Sequence, residues 1–278
     1  MFSLYVIIYS LSFLYSNQNF LINSNPEPFD VDIQTKSIAI SELKGIYSGY
    51  VGHWNIYEAF KNQKTYSQYK LNNKKYLNNS FDYKKILETS HNNSERKLTL
   101  GFQDLGLVDF YKFAYKIFGV NASSPTYFYY LILIFSTLLY FLAFLNDPKK
   151  IIILLFFGLS HLIMVHFIEI VGKELYVVNN RRFLPVLTII PTLHILITIL
   201  ENKFRRLSNS IMVSSQILIL FLVIHFRSSA EYQILIIALF SFFFVILNRG
   251  KLHETLSFKK YISFVLFFIL FAHLTSKS

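Results

Sequence analysis

Tyr127-Phe-Tyr-Tyr-Leu-Ile-Leu-Ile-Phe-Ser-Thr-Leu-Leu-Tyr-Phe-Leu-Ala-Phe-Leu145 carries no charged side chain over its whole length, and the reading of that run decides the fold. Hydrocarbon offers no water to the backbone, so a crossing segment must be a helix of about 20 mostly apolar residues. The run fits, and five of similar character follow it: Ile151 to Val171, Phe183 to Leu200, Ile211 to Phe226, Tyr232 to Leu247 and Tyr261 to Leu274. An earlier run, Phe2 to Ile22, is interrupted by Ser16-Asn-Gln-Asn19 and keeps a clean apolar core of about 14 residues, a length that also suits a signal peptide. No basic residue precedes it and no small-x-small site lies before Asn25, so it reads as an uncleaved first helix. The expected fold is an all-α integral membrane protein of about seven transmembrane helices, with a helical extracytoplasmic domain between the first and the second. The expected parts are a first helix over 1–22, an outer domain over 23–126 and a six-helix bundle over 127–278.

Composition agrees. Of 278 residues, 53% are hydrophobic and only 15% charged, against about 25% charged in a typical soluble domain, which argues against an ordinary soluble enzyme. The formal charge of +11 would suggest nucleic acid in a soluble chain; beside these apolar runs the lipid bilayer is the expected partner, and no nucleic acid is. With no cysteine there is no disulfide framework, thiolate metal site or cysteine nucleophile.

Lys and Arg resist translocation, so their distribution orients the chain. With the end after Leu145 in the cytoplasm, inside loops hold Lys149, Lys150, Lys203, Arg205, Arg206, Arg249, Lys251, Lys259 and Lys260, against Lys173, Arg181, Arg182, Arg227 and Lys277 outside. This bias predicts a cytoplasmic amino terminus and an outer Asn23 to Thr126 segment, which carries 13 Lys or Arg against 10 Asp or Glu. A connection that long should have structure of its own.

Its best helix is 104–118, where Phe110, Phe113, Ala114, Ile117 and Phe118 share one face and Asp109, Lys112 and Lys116 take the other. Gly119 is a natural stop, and Ser124-Pro125 reads as N-cap and first residue of the next span. Such a helix either lies in the outer interface or packs on the domain's own core. Ser41 to Phe60 and Phe81 to Thr89 are weaker helical candidates, separated by a polar loop over Lys61 to Asn79.

Four constellations could carry chemistry. Asp30 and Asp32 follow the first span, where one carboxylate could take a proton from a hydroxyl while the other orients it or holds a divalent cation; the same pattern also serves as a solvated turn or N-cap. Asp104, beside Gly106, opens the amphipathic helix and is equally an acid favoured by the helix dipole. Within the membrane, ionisable groups are functional suspects, and His161, His166 and Glu169 fall at about 0°, 140° and 80° around one helix, with His194 on the next. Their spacing is no standard zinc motif, and a hydrogen-bonded interhelical network explains them better than a metal. Arg181 and Arg182, with Lys173, stand at the outer entry to a span, where guanidinium forks match phosphate oxygens and also snorkel to ordinary head groups. Pro185 and Pro191 predict a bent helix there. Glycine-rich phosphate loops, a Gly-x-Ser-x-Gly elbow, His-Glu-x-x-His and an inverted repeat are all missing from the sequence.

This layout resembles the polytopic glycosyltransferases of the GT-C fold, which use polyprenyl-phosphate-linked sugars, in its topology and in an acid placed soon after the first span. The stretch from Gly101 through Arg182-Phe-Leu-Pro to His194 also resembles uncharacterised bacterial inner-membrane proteins found with surface-polysaccharide genes. The resemblance implies sugar transfer at the outer face of an inner (plasma) membrane, from a polyprenyl-phosphate donor to a glycan or lipid acceptor. Asp30 or Asp32 would be the base, Asp104 the reserve, and Arg181 and Arg182 would hold the donor phosphate. Seven spans are fewer than that superfamily usually has, and no diagnostic motif is present. The alternative is a non-catalytic membrane component of a polysaccharide assembly or export complex. A reporter fused after Asn79 should behave as extracytoplasmic, and cytoplasmic activity of the fusion would reverse the orientation.

Overall fold

A computed structural model of the chain describes residue 7 and residues 31–59, 97–99, 105–121, 124–171, 184–201 and 207–227. The described part is mostly helical. It comprises α1 (Val31–Leu43), β1 (Val51–His53), β2 (Lys97–Thr99), α2 (Leu105–Phe118), α3 (Ser124–Ala143), α4 (Pro148–Val171), a 3-10 segment (Leu184–Thr188), α5 (Ile189–Leu200) and α6 (Leu207–Phe226). Two compact units divide the chain: unit 1 is 1–131 with 152–183, and unit 2 is 132–151 with 184–278.

In unit 1 the expected helix over Ser41 to Phe60 is interrupted: residues 41–43 close α1 and residues 54–59 are again helical, with a turn and a strand between them. The helix α1 ends where Gly45, at φ +67°, donates to the Glu42 carbonyl (3.0 Å) while the Ile46 N–H reaches back to Ser41 (3.0 Å). This pair of bonds is the Schellman stop, which only a residue free to adopt a left-handed conformation accepts easily. The chain then turns into β1, which pairs antiparallel with β2 in the register Val51 to Thr99, Gly52 to Leu98 and His53 to Lys97. This two-stranded sheet departs from the expected all-α class. Each strand is three residues long and its partner is remote in sequence, so no local pattern announces it.

Ser41 ties the helix to the strand: its hydroxyl donates to the Ser37 carbonyl (2.7 Å) and accepts the His53 N–H (2.8 Å). Gly52 lies so close to α1 that an added Cβ would sit 2.8 Å from Ile38 Cγ1 and 3.2 Å from Ile38 Cα. The core is Ile33, Ile38, Ile40, Ile56 and Leu98 against Leu107, Phe110, Tyr111 and Ala114 of α2. Full burial of such side chains contributes about 1.5–3 kcal/mol each, so this layer outweighs the surface contacts around it.

The buried face of α2 is turned from the expected one. Tyr111 and Tyr115 join Phe110 and Ala114 inside, whereas Phe113 and Ile117 are exposed. The rotation accompanies the packing of α1 against α2, where Lys36 of α1 lies over the Tyr111 ring at 5.3 Å. Gly119, at φ +79°, stops α2 as its position predicts, but the Ser124 hydroxyl donates back to the Gly119 carbonyl (2.5 Å) and does not serve as a simple N-cap. Phe118 meets Tyr127 edge-on at 5.7 Å, and Phe110 lies 5.3 Å from Phe128, fixing α2 to the first turns of α3.

Two helices, Ser124–Ala143 and Asn209–Phe226, are long and apolar enough to cross a membrane. On α3, Leu131, Ile134, Phe135, Leu138 and Leu142 form an exposed stripe at helical spacing while Ser136, Thr137 and Tyr140 are buried. On α4, Ile152, Phe156, Leu159 and Ile163 are exposed and His161 is buried. Asp147-Pro148 begins α4 in N-cap and N1 positions, with Ile151 N–H donating to the Asp147 carbonyl at 3.2 Å. The expected single span over Phe183 to Leu200 is divided: Pro191 has no N–H for the Leu187 carbonyl, and α5 starts afresh after the 3-10 segment. The expected spans 2–22, 232–247 and 261–274 lie outside the described residues, Ile7 excepted, as do the helix over 81–89 and the loop over 61–79. Gly52→Ala should force β1 off Ile38 and cost about 1–3 kcal/mol, seen as faster amide exchange at Val51 and His53; unchanged protection would disprove the close contact.

Candidate functional site

The acids and arginines singled out in the sequence are only partly located. Asp32 occupies the first turn of α1, and His166 and Glu169 lie on α4, in each case as backbone alone. Asp30, Asp104, Lys173, Arg181 and Arg182 lie outside the described residues. Among the described residues no group of three or more His, Asp or Glu side chains could hold a metal ion.

Unit 1 contains a polar cluster that sequence reading missed. Glu42, near the end of α1, accepts the Tyr50 N–H (2.5 Å) and pairs with Lys112 of α2 (2.6 Å). Lys112 also meets Asp109 at 3.4 Å, and the Tyr50 hydroxyl donates to Asp109 at 3.0 Å. These bonds hold Tyr50 at φ +62°, a left-handed conformation that non-glycine residues adopt sparingly. Burial and then the bond to Asp109 push the Tyr50 phenol up. Burial alone would lower the Lys112 amine, but Glu42 and Asp109 override it and hold the amine above its ordinary value. Asp109-x-x-Lys112 shows the local ion pair in the sequence; Glu42 and Tyr50 arrive only through the fold.

In the same unit His161 meets α3. Its Nε2 and the Tyr129 hydroxyl are 3.0 Å apart, and its ring lies 6.0 Å from both Tyr129 and Tyr130 and 6.2 Å from Phe157. This is the interhelical contact expected of a polar residue on an apolar helix.

Unit 2 holds a second buried network. Ser136 of α3 donates its hydroxyl to Gln216 Oε1 (2.8 Å); Gln216 Nε2 reaches the Ser136 carbonyl (2.7 Å) and His194 Nδ1 (3.2 Å). His194 also meets Tyr140 at 5.6 Å and Phe144 at 5.2 Å between ring centroids. Ser136, His194 and Gln216 are all buried. Among the described residues, His194 Nε2 and the Thr192 hydroxyl of this unit have no hydrogen-bond partner. At the start of α4, Lys150 pairs with Asp147 (2.6 Å) and Glu201 and lies 5.0 Å from the Phe144 ring centre. Gln216 is the single amide in the expected span Ile211 to Phe226, a signal that the sequence contained.

Deprotonation of Tyr50 and Lys112 should loosen unit 1. Their folded values are raised, so the folded chain binds these protons more tightly and stability is lost as pH rises through the tyrosine and lysine range. Melting followed by near-ultraviolet circular dichroism should show that loss above about pH 10, and Tyr50→Phe should reduce it. An identical alkaline profile in the variant would contradict the assignment. No protein-family model, curated protein or solved structure matches this chain.

Proposed function

We propose that this chain is a multi-pass membrane glycosyltransferase that moves a sugar from a polyprenyl-phosphate donor to a glycan or lipid acceptor at the outer face of a bacterial inner membrane. Supporting this reading most directly is the core that α1 and α2 build within unit 1, in the segment that follows the first apolar run. Asp32 stands in the first turn of α1, where the helix dipole favours a carboxylate. Phe113 and Ile117, exposed on a helix fixed to the first turns of α3, suit a position against acyl chains at the membrane boundary.

In the proposed reaction the acceptor hydroxyl gives its proton to Asp30 or Asp32 and its oxygen bonds to the anomeric carbon. The bond from that carbon to the polyprenyl phosphate breaks, and the phosphate leaves with the electron pair. Arg181 and Arg182, with Lys173, would neutralise it, and a divalent cation could be held by the second carboxylate.

Deletion of the gene should change surface glycans and accumulate the lipid-linked sugar. Complementation with Asp30→Asn or Asp32→Asn should leave transfer about 100-fold or more below wild type, the usual effect of losing a general base. Full complementation by both variants and by Asp104→Asn would favour the non-catalytic assembly component, and unaltered glycans in the deletion strain would refute both readings.

A further inference from the structure

The hydrogen bonds around Gln216 fix the state of His194. The Ser136 carbonyl lies 2.7 Å from one end of the Gln216 amide, which must therefore be the nitrogen, because an oxygen there would face another acceptor. The other end then accepts the Ser136 hydroxyl, as the 2.8 Å contact requires. The remaining amide hydrogen points to His194 Nδ1 at 3.2 Å, so Nδ1 is an acceptor and the neutral ring carries its proton on Nε2. That Nε2–H is buried with no partner among the described residues. An amide-like donor left without a partner in an apolar medium costs several kcal/mol, so native proteins rarely keep one.

We infer that unit 2 contains an internal binding site for one uncharged oxygen acceptor, built on the Nε2–H of His194. The polarity follows from the bonds: this nitrogen offers a hydrogen and no lone pair, so the site takes neither a metal ion nor a proton. The neutrality of the occupant follows from the surroundings. Tyr140 and Phe144 flank the ring, and Lys150, the cation over Phe144, is already paired with Asp147 and Glu201. One neutral donor does not compensate for burying an anion. Water and the ester or hydroxyl oxygen of a lipid share this chemistry.

Solid-state NMR of the isotope-labelled full chain in lipid bilayers tests the site. The Nε2–H tautomer of His194 should exceed the other by about tenfold, the ratio one net hydrogen bond supports. Its proton should correlate with water, or with lipid glycerol or hydroxyl protons when those are the source. Gln216→Leu should weaken the tautomer preference, and His194→Phe should remove the correlation while keeping the ring packing. A proton on Nδ1, an imidazolium, or a correlation from Nε2–H to a carbonyl of the chain itself would overturn the inference. The wild-type spectrum decides between these even where a variant does not fold.

Discussion

Outward apolar side chains on α3, a helix long and apolar enough to cross a membrane, reverse the usual burial rule, and the packing of the described apolar helices depends on that constraint. Leu131, Ile134, Phe135, Leu138 and Leu142 face outward on α3, whereas Ser136, Thr137 and Tyr140 face inward. In lipid an outward leucine loses nothing, so burial of apolar area no longer selects one helix arrangement over another. Close packing and hydrogen bonds between helices must do so. Tyr129 with His161 in unit 1, and Ser136 with Gln216 and His194 in unit 2, are contacts of that kind. Each adds on the order of 1 kcal/mol, small against a domain's core but directional. The apolar surface permits many helix rotations, and these polar contacts select among them.

The α1–α2 region of unit 1 obeys the ordinary rule. Phe110 and Tyr111 are wholly inside, and the charged groups sit at the edge of the layer. The pair Lys112 with Glu42 retains partial exposure at the lysine, so it contributes about 0–1 kcal/mol, well below the burial of one aromatic ring. Its effect is geometric. It joins the end of α1 to the middle of α2 and holds Tyr50 in the backbone conformation that leads into β1. Ser41 does the same from inside, with one hydroxyl serving both helix and strand.

Long amphipathic or uniformly apolar segments were legible in the sequence because their signals are local. The helix read at 104–118 is found at Leu105–Phe118 with Gly119 as its stop, and the run from Tyr127 to Leu145 is found as Ser124–Ala143. The helix α1 was not legible: Thr35, Ser37 and Ser41 are buried beside Ile38 and Ile40, so no apolar face repeats along it. Gly45 was the available clue that a helix over Ser41 to Phe60 had to break. Site residues divide similarly. His161 and His194 stand out because ionisable groups are rare in apolar runs, and Gln216 as an amide in one, whereas Tyr129 and Ser136 become significant only once the helices pack.

The Gln216 amide also limits which sequences this fold accepts. Position 216 needs two donors and one acceptor at the reach of a glutamine: glutamate lacks the donors, and asparagine is one methylene short. The outward positions 131, 134, 135, 138 and 142 accept any large apolar residue, so descendants of this chain can diverge widely along them. A serine, a histidine and a glutamine spaced as at 136, 194 and 216 would outlast that drift, giving distant kin a three-letter fingerprint when overall identity no longer does.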